Sequence, residues 1–212
     1  MTFNLKAYRE ACRLYGESWA APDEVLYGLC KRYSDHSTRN AIYAKLSIIG
    51  RTYATGIERQ IEVEKESALD QLAEFFFENR SAIDSTLGRL ANVHEPLALD
   101  TLETIVQAHG QLANLLKEKL RDRHTPRSFA SKYMHFHCAA VPIYDDITAK
   151  QLQHEYCRKK DCAVFTLPKE ADEKYYWHTL RFWQMYKEAK QAEDGVTVKL
   201  LDHYSDLLWL AD

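Results

Sequence analysis

The stretch DTLETIVQAHGQLANLLKEKL, residues 100–120, carries the most regular apolar pattern in the chain. Its apolar side chains recur every three or four residues, which is the spacing of one face of an α-helix. Asp100 and Glu103 resemble a capping box at the start of that helix. The stretch therefore predicts a long helix with one buried face, formed by Leu102, Ile105, Val106, Leu112, Leu116 and Leu120.

Helical patterns continue over most of the chain on both sides of this stretch. They predict an all-α fold: a single compact orthogonal domain of about eight helices spanning residues 1–212. Residues 1–125 are expected to form a helical scaffold, and residues 126–212 a helix pair followed by aromatic helices. The least helical segment runs from Cys162 to Leu167 and is predicted as a short strand or an extended crossing.

The composition agrees with a helical fold. The 212 residues include 7 Gly and 5 Pro, about half the usual combined share. This shortage disfavours turn-rich β-sandwiches and glycine-rich disordered chains, while 46% apolar residues suffice for a buried core. The net charge of −3 disfavours a wholly basic nucleic-acid coat but leaves room for a local basic patch.

The sequence also predicts a compartment. Lys6 and Arg9 interrupt the N-terminal segment, so no signal peptide is predicted, and no stretch approaches the roughly 18 apolar residues that a membrane span needs. The five cysteines are scattered and odd in number, which is typical of reduced thiols. We therefore expect a cytoplasmic protein without a membrane partner, and no cofactor is predicted because no nucleotide-binding glycine loop is present.

The most distinctive stretch is RSFASKYMHFHCAAVPIYDD, residues 127–146. It resembles the active-site region of helix-hairpin-helix DNA glycosylases, in which a helix leads through a short apolar segment containing proline to a catalytic aspartate. The block SFASK…HF…PIYD is also similar to one in a set of uncharacterised bacterial proteins. The resemblance implies that Asp145 is the catalytic aspartate and that Arg127 stands where bifunctional members carry a nucleophilic lysine.

Two departures from that family concern its chemistry. The segment before the helix, RDRHTPRS, contains no glycine, whereas the family's hairpin is rich in glycine. Arg127 is always protonated, so it cannot act as an amine nucleophile. The resemblance therefore implies a nucleic-acid-engaging protein whose glycosylase activity is either kept or lost.

Asp145 has a structural interpretation beside the catalytic one. A carboxylate at the start of a helix is kept ionised by the helix dipole and free N–H groups. Such a group could activate water or stabilise positive charge on a sugar. The alternative, which the position favours, is that Asp145 or Asp146 is simply an N-cap worth about 1 kcal/mol, and a single residue could fill both roles.

Basic residues precede Asp145. Residues 117–132 include six basic and two acidic residues, which favours contacts with phosphates. The resemblance to DNA glycosylases implies DNA rather than RNA as the partner. An ordinary solvated helix face is the alternative. The predicted nucleic-acid contacts are Arg121, Arg123, Arg127, Ser128 and Lys132.

Two other classes of function are considered. Arg89 and His94 form an Arg-x4-His arrangement similar to the signature of HEPN ribonucleases, in which such pairs meet across a dimer. A non-enzymatic interaction subunit with a protein partner is the other alternative. A role in phage defence or in a mobile element is compatible with the leading hypothesis as well as with this one.

The remaining candidate sites have ordinary structural explanations. The aromatic run around Tyr176 and Trp183 could stack on a base, but its spacing is typical of a core-facing helix. His135 and His137 are two residues apart and so fall on different faces of a helix. His154, Cys157 and Cys162 lack an evident fourth ligand, and no metal site is predicted.

Overall fold

The computed structural model describes residues 3–62, 67–121, 124–156 and 165–207. The prediction of an all-α fold is confirmed, with ten α-helices in the described residues rather than about eight and no strand among them. The helices are α1 Leu5–Ser18, α2 Ala20–Arg32, α3 Arg39–Thr52, α4 Ala68–Glu78, α5 Arg80–Gly88, α6 Leu99–Lys117, α7 Arg127–His137, α8 Asp146–Glu155, α9 Glu173–Ala192 and α10 Val198–Leu207. Short 3₁₀ turns follow α3 and α5, at Ile57–Gln60 and Arg89–Asn92.

Side-chain caps explain where several helices begin. Asn4, Ser67, Asp145 and Asp172 each accept a hydrogen bond from a backbone N–H in the first turn of the helix that follows. The capping box predicted for α6 is wrong in detail. That helix begins at Leu99, before Asp100, and the hydroxyl of Thr101 accepts the N–H of Ala98 at 2.9 Å.

The regular stripe of residues 100–120 lies inside the protein, as predicted. Leu102, Ile105, Val106, Leu112 and Leu116 are all buried, and α6 packs on α5, α7 and α9. Gly110 lets the chain approach closely here, because a Cβ at this position would lie 2.4 Å from the carbonyl oxygen of Glu170. The stripe therefore anchors the helices that precede and follow it.

Helix α7 crosses the interior, and the first and last described helices pack against each other. All of its residues from Phe129 to Phe136 are buried. At the periphery α1 packs along α10. One continuous apolar core includes side chains from Tyr8 to Tyr204 and so joins both predicted parts of the chain.

Two further sequence predictions concern a strand and a membrane span. The predicted strand lies partly outside the described residues, and Phe165, Thr166 and Leu167, which are described, form no strand. None of the described helices has the length and apolar character needed to cross a membrane.

Candidate functional site

A cavity of about 540 Å³ lies between α1, the end of α3, α7 and α10. Its aromatic wall consists of Tyr15, Trp19 and Tyr53. The rings of Trp19 and Tyr53 are 5.7 Å apart between centroids, and Trp19 is 39% exposed. The cavity thus offers an open aromatic surface that a flat ligand could stack on.

Asp145 lies on this cavity and also caps α8. Its Oδ1 accepts the N–H of Ile147 at 2.9 Å, and its backbone is extended as at other N-caps. The side chain is half-buried rather than enclosed. The structure therefore assigns Asp145 the cap role and, at the same time, places it beside a volume that a ligand can enter.

Lys132 lines the same cavity from α7. The residue is 6% exposed, and its ammonium group donates to the carbonyl oxygen of Tyr53 at 3.2 Å and lies 5.8 Å from the centre of the Tyr53 ring. A buried ammonium is costly unless it is hydrogen-bonded. Lys132 is consequently held against the aromatic wall in the neighbourhood of Asp145.

Arg127 and Ser128 lie at a smaller cavity of about 230 Å³, at the start of α7. Arg127 donates from Nε to Asp172 Oδ1 at 2.5 Å, and only 22% of its side chain is exposed. Its carbonyl oxygen accepts a hydrogen bond from His109 at 3.1 Å. The ion pair with Asp172 therefore connects the start of α7 to the start of α9. The predicted contact between Arg127 and a phosphate stays a prediction.

The other two predicted phosphate contacts lie further along the chain. Arg121 is exposed just after α6, in a position open to a polyanion. Arg123 lies outside the described residues. The structure thus brings Lys132 and Asp145 to one cavity, and Arg127 and Ser128 to its smaller neighbour.

A buried carboxylate beside the larger cavity was not singled out from the sequence. Asp23 is 1% exposed and accepts the hydroxyl groups of Tyr15, at 3.1 Å, and of Tyr53. Its Oδ2 lies 3.5 Å from Nε2 of His203, which lines the cavity from α10. Burial alone would raise the pKa of Asp23, but the nearby imidazole of His203 and the hydrogen bonds from Tyr53 and Tyr15 outweigh burial and lower it.

The charge around the larger cavity is mixed rather than basic. Asp145 and Asp202 line it together with Lys132 and His203. A site of this kind does not act as a purely electrostatic trap for phosphate. Its aromatic wall and mixed charge are better suited to a polar aromatic group.

A second polar cluster lies apart from both cavities, and none of its members lines either of them. His36 contacts Asp84 at 2.5 Å through Nδ1 and the Tyr133 hydroxyl at 2.6 Å through Nε2. The buried Lys45 donates to the carbonyl oxygens of Tyr33 and Asp35 at 3.0 Å each. Burial lowers the pKa of Lys45 to about 8. The members satisfy one another, so this cluster stabilises the connection between α2 and α3.

The residues of the HEPN alternative lie on the surface. Arg89 opens the 3₁₀ turn after α5, and His94 follows that turn. Both side chains are exposed, and Nδ1 of His94 lies 3.3 Å from the carbonyl oxygen of Glu95. The chain thus presents both residues to solvent, and the HEPN interpretation stays a prediction.

The aromatic run is mostly core, as its spacing predicted. Tyr175, Tyr176, Phe182 and Tyr186 are buried, whereas Trp183 is half-buried. Tyr175 stacks on the buried imidazole of His109 with 3.6 Å between ring centroids. These rings fix α9 against α6.

The metal candidates do not assemble in the described part of the chain. No group of three His, Cys, Asp or Glu side chains there is arranged to hold an ion. His154 is exposed, and its two predicted companions, Cys157 and Cys162, lie outside the described residues.

The sequence could have pointed to part of the larger cavity only. The segment around Lys132 and Asp145 stands out by its composition, but Trp19, Asp23 and His203 lie far from that segment in the sequence and belong to no motif.

Comparison of the chain with protein-family models, curated proteins and solved structures finds no match.

Proposed function

We propose that this chain engages nucleic acid, DNA in preference to RNA, in the manner of the helix-hairpin-helix glycosylases, and that its larger cavity receives one extruded base. The observation that carries the proposal is that Asp145 and Lys132, selected from one block of sequence, line the same aromatic-walled cavity. Base-processing proteins hold an extruded base by stacking and by hydrogen bonds to its edge. Trp19 and Tyr53 would supply the stacking, and Asp145 and Lys132 the polar contacts.

The volume and exposure of the cavity fit such a ligand. Its volume of about 540 Å³ falls within the range of small-molecule sites. Trp19 stands at the junction of α1 and α2 and is partly open to solvent, so a base could reach it without rearrangement of the core. Stacking on such a side chain contributes about 1–3 kcal/mol per base.

The smaller cavity, next to the larger one, could bind phosphates. Asp145 borders the larger cavity and Asp146 the smaller one, so the two cavities adjoin at the start of α8. The smaller cavity includes Ser128 and Arg127, in the first turn of α7. Backbone N–H groups at a helix start bind phosphate, so a strand with one base in the larger cavity would pass its backbone over this point.

The same site has one group that could take part in catalysis and one that could not. The carboxylate of Asp145 could stabilise positive charge on a sugar as a base departs. Arg127 cannot supply a nucleophilic amine. Any removal of a base would therefore proceed by hydrolysis. If no base is removed, the same site would serve binding alone.

The binding experiment measures fluorescence anisotropy of a labelled DNA duplex that contains one mispaired 2-aminopurine. We expect binding that weakens steeply between 50 and 200 mM salt. Trp19→Ala should weaken it about tenfold, because one stacking partner is lost. Tyr43→Ala is the matched control, since Tyr43 is 40% exposed but lies on α3 away from the cavity.

The same titration includes the double variant Arg127→Ala/Lys132→Ala, which should bind more weakly and show a shallower salt dependence. Circular dichroism checks that the double variant keeps its helices. Two results would contradict the proposal: no salt-dependent binding by the wild type, or equal losses in Trp19→Ala and Tyr43→Ala.

A further inference from the structure

A groove between α8 and α9 contains a third cavity, of about 400 Å³. We call this space the α8–α9 groove. Its lining includes Lys150 from α8 and Lys174, Trp177 and Arg181 from α9. The three residues from α9 follow one another at intervals of three and four positions, so they lie on one face of that helix. This face presents an aromatic ring with a basic side chain on either side of it.

The α8–α9 groove continues the line of the two cavities described above. Tyr144, Asp146 and Lys174 line both the groove and the smaller cavity. The smaller cavity in turn meets the larger one at the start of α8, where Asp145 borders the larger cavity and Asp146 the smaller. The three spaces therefore follow one another past the start of α8, with the smaller cavity in the middle.

Trp177 provides a flat surface in this groove. Its indole N–H donates to Oε1 of Glu173, one turn earlier, at 3.2 Å. Its ring packs against the ring of Tyr176 with 4.7 Å between centroids. The side chain is half-buried and lines the groove, so the ring is held in place and still borders open space. A ring of this kind can stack on any base, because every base has a π-face.

Basic side chains outnumber acidic ones in the groove. The described lining has three basic residues and two acidic ones, namely Lys150, Lys174 and Arg181 against Asp146 and Glu173. Lys150 and Lys174 are exposed, so their ammonium groups are open to a phosphate. His178 also lines the groove but adds no charge near neutral pH, because burial lowers its pKa to about 4. The groove thus combines a flat ring with a small excess of positive charge.

A phosphate in the smaller cavity would lie between two spaces with aromatic walls. Trp19 and Tyr53 border the larger cavity on one side, and Trp177 borders the groove on the other. Neighbouring nucleotides of one strand share a phosphate, so this order suits two bases with a phosphate between them. Both bases must be unpaired and unstacked, because neighbouring bases cover the faces of a base within a duplex. The order of the three spaces therefore favours a single strand over a duplex.

We infer that the α8–α9 groove is a second nucleotide site, in which Trp177 stacks on a base while Lys150 and Lys174 contact the phosphate beside it. That the neighbouring base occupies the larger cavity rests on the proposed function, whereas the groove rests on its own lining. The substrate class is then single-stranded DNA, or duplex DNA with adjacent unpaired nucleotides. Stacking is tolerant of sequence, so the groove selects an unpaired strand and not a particular base.

The test measures fluorescence anisotropy of the full chain with a short labelled oligothymidylate, alone or paired with oligodeoxyadenylate. The single strand should bind about tenfold more tightly than the duplex, because its bases can stack on the indole ring. Trp177→Ala should remove most of this difference, and Trp177→Phe, which keeps a flat ring, should retain most of it. Trp183→Ala is the matched control, since Trp183 is also half-buried on α9 but lines none of the three spaces.

The two lysines have a separate readout in the salt dependence of single-strand binding. The double variant Lys150→Ala/Lys174→Ala should reduce the slope of log affinity against log salt by about one, because fewer phosphates are neutralised. The double variant Lys6→Ala/Lys190→Ala removes the same charge from two exposed positions outside the three spaces and should leave the slope unchanged. Circular dichroism checks that each variant keeps its helices.

The outcomes separate this inference from the proposed function. If the single strand binds no more tightly than the duplex, or if Trp177→Ala and Trp183→Ala lose affinity equally, the groove is not a nucleotide site. If Trp177→Ala weakens single-strand binding while Trp19→Ala does not, the inference stands and the proposed role of the larger cavity fails. If Trp19→Ala weakens binding while Trp177→Ala binds like the wild type, the proposed function stands and the inference fails.

Discussion

Three histidines in the core make the stability of this fold sensitive to mild acid. His109, His135 and His178 are each about 1% exposed or less. Each ring has one nitrogen within hydrogen-bond distance of a backbone carbonyl oxygen, at 3.1, 2.7 and 2.8 Å. Burial lowers the pKa of each of them to about 4, since the interior disfavours the charged imidazolium.

The direction of the effect follows from where protons bind. An unfolded histidine takes up a proton near pH 6.5, whereas these three stay neutral in the folded protein until about pH 4. Between these values the unfolded chain binds more protons, so the free energy of unfolding falls as the pH falls. The stabilisation is complete above pH 6.5 and is lost as the pH approaches 4.

The magnitude is large compared with the stability of a typical domain. Lowering the pH from 7 to 5 removes about 2 kcal/mol for each of the three histidines. Their sum is about 6 kcal/mol, against a typical total of about 5–15 kcal/mol. The pKa of Glu95, which burial raises, opposes this loss in part.

The assay is urea denaturation at pH 7 and at pH 5, followed by circular dichroism. We expect the midpoint concentration of urea to fall sharply at pH 5 while the slope of the transition stays the same. His178→Gln removes one titrating group and should reduce the pH-dependent loss by about 2 kcal/mol. His154→Gln should not change it. Free energies of unfolding that agree within about 1 kcal/mol at the two pH values would refute the reasoning.

Two further predictions concern packing and capping. Gly110→Ala should lower the free energy of unfolding by about 2 kcal/mol in urea denaturation, because the new Cβ would meet the carbonyl oxygen of Glu170 at 2.4 Å. A Cβ at residue 88 would have no atom within 4 Å, so Gly88→Ala should instead stabilise the protein by up to about 1 kcal/mol. A loss of similar size in both variants would contradict the packing argument. Asp145→Ala should lower the melting temperature by removing a cap worth about 1 kcal/mol, whereas Asp145→Asn retains the cap; equal melting temperatures for the two variants would contradict the cap role.

The helices could be predicted because their signals are local. The spacing of Leu102, Ile105 and Val106 is that of a helix face, and the same residues are buried in the structure. The start of α6 was misplaced because Asp100 and Glu103 have the residue types of a capping box, while Thr101 is the residue whose side chain accepts the N–H before the helix. Side-chain types indicate that a helix begins nearby but fix its first residue only to within one or two positions.

Of the residues at the larger cavity, only those that are close in the sequence could be predicted to lie together. Lys132 and Asp145 are thirteen positions apart and belong to one conspicuous block. Asp23 and His203 are 180 positions apart, and they meet because α1 packs along α10 and brings α2 with it. Such long-range packing depends on the whole core, so no local pattern could have paired a carboxylate near the N-terminus with an imidazole near the C-terminus.

The two polar clusters differ in a way that separates stability from function. Lys45 is buried but donates to two carbonyl oxygens and closes a set of mutually satisfied groups, which is how an interior accommodates charge for the sake of structure. Asp23 and Lys132 are buried beside open volume and a partly exposed tryptophan. A chain with a continuous apolar core gains no stability from leaving that volume unfilled. Departures from good packing and from apolar interiors are expected at functional sites. At the cavity that also holds Asp145, buried charged groups border open volume, whereas Lys45 lines none of the cavities described above, which is why the proposed function is placed there and not at Lys45.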